Sequence, residues 1–324
     1  PQAAFASNGD DREAALQLYL LNPEVPGVAT RLSPGGSEDE QPAWSPDGSH
    51  LVFVSKRPIT PRLYVTRADA FVPRPLLPDS TYSDWEPAWS PDGRRIAFAS
   101  NRPPAERCTG SPINLYVVEV DPATGTALGA PRQVSRNNPD DPSVYYWDEA
   151  PDWAPEVTRD GVSYGGLVVF SSNRGPGGAR LLYAVDTEAE HLGQIGEPAG
   201  YPASCLTPSD VDLDATDPAW SPDGSKIAYS SLQDGVRHIW VADVKVYAGV
   251  GYRTVTAANH RRLTRDPFDE EQPVWSPEGD SLMFVSNRSG SPDIYRIDLN
   301  RPGAAPVLVA SGAGRQTNPA WSRR

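Results

Sequence analysis

Two cysteines, one methionine and four histidines are all that 324 residues contain of these types, and no stretch carries eighteen consecutive apolar residues. Each scarcity excludes something. Without a long apolar run no helix can cross a bilayer. His50, His191, His238 and His260 are scattered, and none stands in a His-Glu-x-x-His or comparable zinc spacing. A Gly-x-Ser-x-Gly elbow and a phosphate-binding glycine loop are also missing. Nucleophile, base and oxyanion site cannot be named together, so the chain reads as a non-enzyme without a cofactor. Basic side chains are outnumbered 29 to 42, for a net charge of −13. That balance leaves no basic face for nucleic acid or an anionic membrane.

Proline and tryptophan, by contrast, are plentiful, and they are ordered. A Pro-x-Trp triplet occurs six times, at Trp44, Trp89, Trp153, Trp220, Trp275 and Trp321. Four copies continue as Ser-Pro-Asp/Glu-Gly. Spacings of 45 to 67 residues mark a repeat architecture. In Ser45-Pro46-Asp47-Gly48 the proline presets the second turn position, and Gly48 supplies the left-handed conformation that closes a hairpin with a bulge. A short β-branched or aromatic segment ending in serine follows each turn except at the last copy, over residues 51–55, 96–100, 167–171, 227–231 and 282–286. Next come a polar loop, often Ser-Asn-Arg, and a second strand centred on Tyr64, Tyr116, Tyr183, Trp240 or Tyr295. A weaker fourth element, such as residues 132–135 or 262–264, completes a four-stranded antiparallel unit.

One such unit cannot bury its own face, so neighbours stack and the tryptophans are core. The first unit lacks its leading strand, which residues 318–322 supply from the other end of the sequence. The expected fold is therefore all-β. It is a six-bladed β-propeller in a single domain over residues 1–324, closed by pairing the C-terminal strand with the N-terminal blade.

Pro-Ala-Trp-Ser-Pro-Asp-Gly, then Ile-Ala-Phe-x-Ser-Asn-Arg, then an Ile/Leu-Tyr strand resembles the repeat of TolB-type β-propellers over essentially the whole chain. The resemblance implies a non-enzymatic bacterial envelope protein that binds other proteins. It implies export to the periplasm or cell surface, with any signal or anchor segment ahead of Pro1 already removed. Related propellers accompany prolyl oligopeptidase-like and tricorn-like peptidases, so an accessory propeller of a peptidase system is a further reading. The shared residues build blades, and no partner-binding residue of the family carries over.

Candidate sites come from what differs between repeats. Carboxylates precede five of the six triplets: Glu38-Asp39-Glu40, Asp84 and Glu86, Asp148-Glu149, Asp214 and Asp217, and Asp269-Glu270-Glu271. They read in two ways. Either they pair with loop arginines such as Arg102, Arg174 and Arg288, or Asp39, Glu86, Glu149, Asp217, Asp269 and Glu270 ring an acidic channel mouth that receives a cation or small ligand. Asp210, Asp212 and Asp214 alternate as in a calcium loop, although Ala215 and Ser221 break the EF-hand pattern. Calcium is thus one reading and a solvated acidic loop the other. Asp84-Trp85 and Tyr145-Tyr146-Trp147-Asp148 join aromatics to acids, the combination expected of a protein-docking rim. Cys108 and Cys205 fall in successive repeats, consistent with a disulfide in an exported protein or with two thiols. Residues 245–253 read as a protruding hairpin.

Overall fold

The computed structural model describes residues 2–9, 14–25, 27–57, 59–103, 112–135, 146–189, 203–207, 214–301, 303–312 and 314–322. Six antiparallel blades are arranged as expected from the repeat, each four-stranded apart from a two-residue strand, Thr126–Ala127, added to the second. We number them by their innermost strand, a: Asp39–Trp44, Asp84–Trp89, Asp148–Trp153, Ala215–Trp220, Glu270–Trp275 and Gln316–Trp321. In blade 6 strand a pairs with Ala3–Ser7, with Ala3 opposite Trp321 and Ser7 opposite Gln316, and this ladder closes the ring.

The tryptophans lie in the interfaces between blades, each 9% exposed or less. Every apolar cluster straddles two neighbouring blades, which is the packing a stacked repeat requires. Trp153 and Trp275 each also donate their indole N–H to a carbonyl of the preceding blade, at 3.0 Å to Ala88 and Ala219.

The turn chemistry accounts for the Ser-Pro-Asp-Gly signature. Ser45 Oγ donates to Asp47 at 2.7 Å and accepts the His50 N–H at 2.9 Å, while Gly48, at φ 68°, closes the turn onto the Ser45 carbonyl. The same contacts recur at Ser90 and Ser221. Partial burial opposes ionisation of Asp47, but hydrogen bonds from Ser45, the Ser49 backbone and the Ser49 hydroxyl outweigh it and hold the carboxyl down at about 2.

Blade 4 departs from the sequence expectation. Its fourth strand is Arg253–Arg262 rather than residues 262–264, and its third, Val236–Ala248, runs thirteen residues. The other blades have fourth strands of two to four residues. Extension of both strands produces the hairpin read over residues 245–253. The hairpin lies against blade 3, where Val246 and Val255 pack with Tyr164 and Leu206. Two N–H groups at the start of its outer strand are occupied from that blade: Asp186 accepts from Arg253 N at 2.9 Å and Ser204 Oγ from Val255 N at 3.2 Å. The first part of a long edge that would invite strand addition is thereby covered.

Candidate functional site

Strand a carries the same six positions in every blade, and its geometry sorts the carboxylates that the sequence groups together. Position 1 faces into the blade. Asp39, Asp84, Asp148 and Glu270 are 0–1% exposed there, so they form no ring at an opening. Each pairs with the arginine two residues beyond the serine of the second strand. Arg57 meets Asp39 at 3.0 Å and Arg102 meets Asp84 at 2.7 Å, while Arg174 holds Asp148 and Arg288 holds Glu270. Every one of these guanidiniums also lies over aromatic rings: Phe53 and Tyr64, Phe98 and Tyr116, Phe170 and Tyr183, or Tyr295 with Phe268. Of the two readings of these acids, the structure places these four in the ion-paired one. Burial raises the pKa of Asp84 and Glu270 despite the neighbouring arginines.

The clamp is absent where its partners are absent. Ala215 and Gln316 occupy position 1 in blades 4 and 6, and the matching arginine positions are Gln233 and Gly9. Blade 4 substitutes a displaced pair, in which Arg237 holds Asp214 and donates to Thr216 at 3.2 Å. Asp214 therefore acts as an ion-pair partner. Asp210 and Asp212 lie outside the described residues. Among the described residues no group of three His, Cys, Asp or Glu side chains comes together in a way that would hold a metal ion.

Position 3 faces the central channel. Its six residues, Gln41, Glu86, Ala150, Asp217, Gln272 and Asn318, all adopt φ between 51° and 56°, and the ladder shifts register around them. A left-handed conformation at non-glycine residues costs on the order of 1 kcal/mol each. At Gln41, Glu86 and Gln272 it turns a polar side chain toward the neighbouring blade. Gln41 accepts the Glu86 N–H at 2.9 Å, Glu86 accepts the Ala150 N–H at 2.7 Å, and Gln272 accepts the Asn318 N–H at 2.8 Å. Between blades 4 and 5 the stitch runs through Ser230, which accepts from Gln272 N at 3.2 Å and donates to Asp217 at 3.0 Å.

The channel these residues line encloses about 360 Å³. Its wall is uneven. Blades 2, 3 and 4 contribute Glu86, Asp152 and Asp217, whereas blades 5, 6 and 1 contribute the amides Gln272, Asn318 and Gln41. Burial, aided by the charges of Glu149 and Asp217, pushes Glu86 up to about 7 against the hydrogen bond from Ala150. Asp152 did not stand out in the sequence, yet a signal was present: it breaks the Pro-Ala/Val-Trp pattern of the other five repeats. Of the remaining members of the expected mouth, Glu149 pairs with Arg180 at 3.0 Å, and Asp269 is exposed and bonded to Asn287.

The aromatic rim separates in a similar way. Asp84 and Asp148 are committed to their arginines, and Tyr146 lies over the Arg174 guanidinium at 4.7 Å. Trp85 is half-buried. Trp147 is 42% exposed and Tyr82 39%. Trp147 sits on a fixed mount: its N–H donates to Asn173 at 2.8 Å, and the flanking backbone bonds on both sides to Ile113. Tyr145 and Cys108 lie outside the described residues. Cys205, in the short fourth strand of blade 3, is exposed, and its thiol donates to the Thr207 carbonyl at 3.4 Å.

Ring closure, bulged inner strands and a narrow channel define a six-bladed propeller whose repeat is stitched through side chains at position 3. Residues 209–324 match the TolB beta propeller domain family. The Tol-Pal system protein TolB of Bordetella pertussis is 34% identical over 117 residues, covering 26% of this chain and 27% of that protein. The chain thus spans about a quarter of the length of the curated relatives it matches. Among solved structures, TolB from Acinetobacter baumannii superposes over 98% of this chain and 66% of its own, with a TM-score of 0.67 at 17% identity. Kuenenia stuttgartiensis hydrazine synthase does so over 98% and 46%, with a TM-score of 0.69 at 13% identity. This chain is a six-bladed β-propeller, and its C-terminal third is similar to the TolB beta propeller domain.

Proposed function

We propose that this propeller is a non-enzymatic protein-binding scaffold of the bacterial envelope, exported and held in a membrane-associated assembly. The observation that carries the reading is Trp147. A tryptophan left 42% exposed, bridged through its backbone to Ile113 of the adjacent blade, is an anchor of the kind that dominates protein interfaces. Its backbone is already fixed by Asn173 and Ile113, so little ordering entropy remains to be lost on docking. The similarity to a protein named for the Tol-Pal system supports an envelope partner.

The test is purification of the native protein from its own membranes in mild detergent, with mass spectrometry of what accompanies it. A stoichiometric companion that is lost on Trp147→Ala with Trp85→Ala, while the melting temperature holds, supports the reading. Retention of that companion by the double variant places its interface elsewhere. A clean monomer removes the scaffold role.

One observation favours a second reading, a small-cation or small-ligand receptor. Glu86, Asp152 and Asp217 charge one side of a channel of about 360 Å³. A cation there would be held by the field of the wall more than by close chelation. Calcium titration followed by thermal melting tests it, and Glu86→Gln with Asp217→Asn should abolish any shift. A shift that survives this variant excludes the channel.

A further inference from the structure

A second cavity, of about 740 Å³, runs along the outside of the ring between blades 1 and 2. It lies between the fourth strand of blade 1, Arg74–Pro75, with the connection that follows it, and residues 125–131 of blade 2. The walls are largely aliphatic and prolyl, with Leu76, Leu77 and Pro78 on one side and Leu128 and Pro131 on the other. Leu128 is 65% exposed and, with Leu76 and Leu77, gives the groove a contiguous apolar lining. A cavity of this size and lining falls in the range of small-molecule sites, where an apolar body is enclosed and a few polar groups set its orientation.

The polar groups along the cavity favour an anion. Arg74 is exposed and makes no ion pair among the described residues. At the floor Arg102, 8% exposed, gives Nη2 to Asp84 at 2.7 Å and keeps Nη1 without a hydrogen-bond partner among the described residues. Against these donors the groove sets one carboxylate without an ion pair among the described residues, Asp79. A peptide strand is a poor occupant, because Pro75 removes an N–H from the edge to which it would add.

We propose that this groove binds an acyl carboxylate, its chain along the leucines and prolines and its head group at Arg74. The site is separate from the aromatic rim and from the channel, and neither functional reading above is needed for it.

Decanoate is the probe, titrated into the intact protein with methyl-labelled leucine and followed by NMR. The expected result is saturable shifts of Leu76, Leu77 and Leu128. Arg74→Glu weakens binding by about tenfold or more, the scale of one lost charge contact in a largely apolar site. Asp79→Asn tightens it a few-fold, and decyltrimethylammonium binds more weakly than decanoate. Arg74 and Leu128 are exposed, so Arg74→Glu and Leu128→Asp should leave the melting temperature in place and separate binding from folding. Three outcomes overturn the proposal. One is the absence of saturable shifts at these leucines. Another is equal affinity for decanol, decyltrimethylammonium and decanoate. The last is binding that survives Leu128→Asp together with Arg74→Glu.

Discussion

The junction between blades 3 and 4 and the junction between blades 6 and 1 are made from the same repeat, yet they differ in almost every contact. The first buries Tyr164, Leu182, Trp220, Tyr229, Val246 and Val255 among fourteen buried apolar residues, and the blade 4 hairpin is fastened across it by Arg253 to Asp186 at 2.6 Å. The second has three, Ala4, Trp44 and Leu51, backed by Leu20, Leu32, Ala68 and Ala320. A repeat therefore fixes how blades meet without fixing how strongly. Strength is set by the embellishments, and they are concentrated in one sector of the ring.

The largest expected effect comes from the tryptophans themselves. Trp220→Ala at the strong junction should cost about 3–5 kcal/mol in urea denaturation, and Trp44→Ala at the weak one at least about 1 kcal/mol less. Equal losses would mean that the embellishments add nothing. The clamps come next. Arg174→Met strands Asp148, a fully buried carboxylate, and should cost about 3–5 kcal/mol. In blade 4, Arg237→Met leaves Asp214, whose side chain is 36% exposed and can find water, so the loss should stay below about 1 kcal/mol.

A smaller effect separates the two halves of the channel. The Glu86 carboxyl holds its proton up to about pH 7 in the folded protein, whereas in the unfolded chain it releases it near 4.5. The folded state thus binds more protons over this window, and stability falls as pH rises from about 4.5 to 7. Glu86→Gln keeps the acceptor for Ala150 N and should flatten that fall, raising stability at pH 8 by about 1–3 kcal/mol. Gln272→Glu, made in the amide half, should introduce a similar slope. The smallest effect is one of rate. Amide hydrogens of Ala3–Ser7 should exchange before those of Lys226–Gln233, because the weaker junction opens first.

Most of the architecture was legible because it rests on local chemistry repeated six times. The Ser-Pro-Asp-Gly turn, the strand ending in serine and the Pro-x-Trp triplet each specify backbone geometry without reference to distant residues. The site was less legible, and strand a shows why. Asp84 and Glu86 are two positions apart and would share a face in a regular strand, yet the left-handed bulge intervenes and sends them to different surroundings. The sequence marks this only through the proline that follows each bulged residue. The pairing of Asp39, Asp84, Asp148 and Glu270 with arginines was one of the two readings the sequence offered, and it could have been decided there, since the two blades without the acid also lack the arginine. The course of blade 4 was hidden because its fourth strand, Arg253–Arg262, has little apolar periodicity and is held by side chains of another blade.

The closing ladder gives the ring a mechanical character. Ala3–Ser7 and Gln316–Trp321 run antiparallel, with Ala3 opposite Trp321 and the Ser322 N–H bonded to the Gln2 carbonyl at 2.7 Å. The two chain segments leading into the ladder enter it side by side, at the same end. Tension between them would not shear all its hydrogen bonds together but peel them one after another, as a zipper opens. The ring would then part under modest force at this one seam inside blade 6, while the six junctions between blades carry almost none of the load.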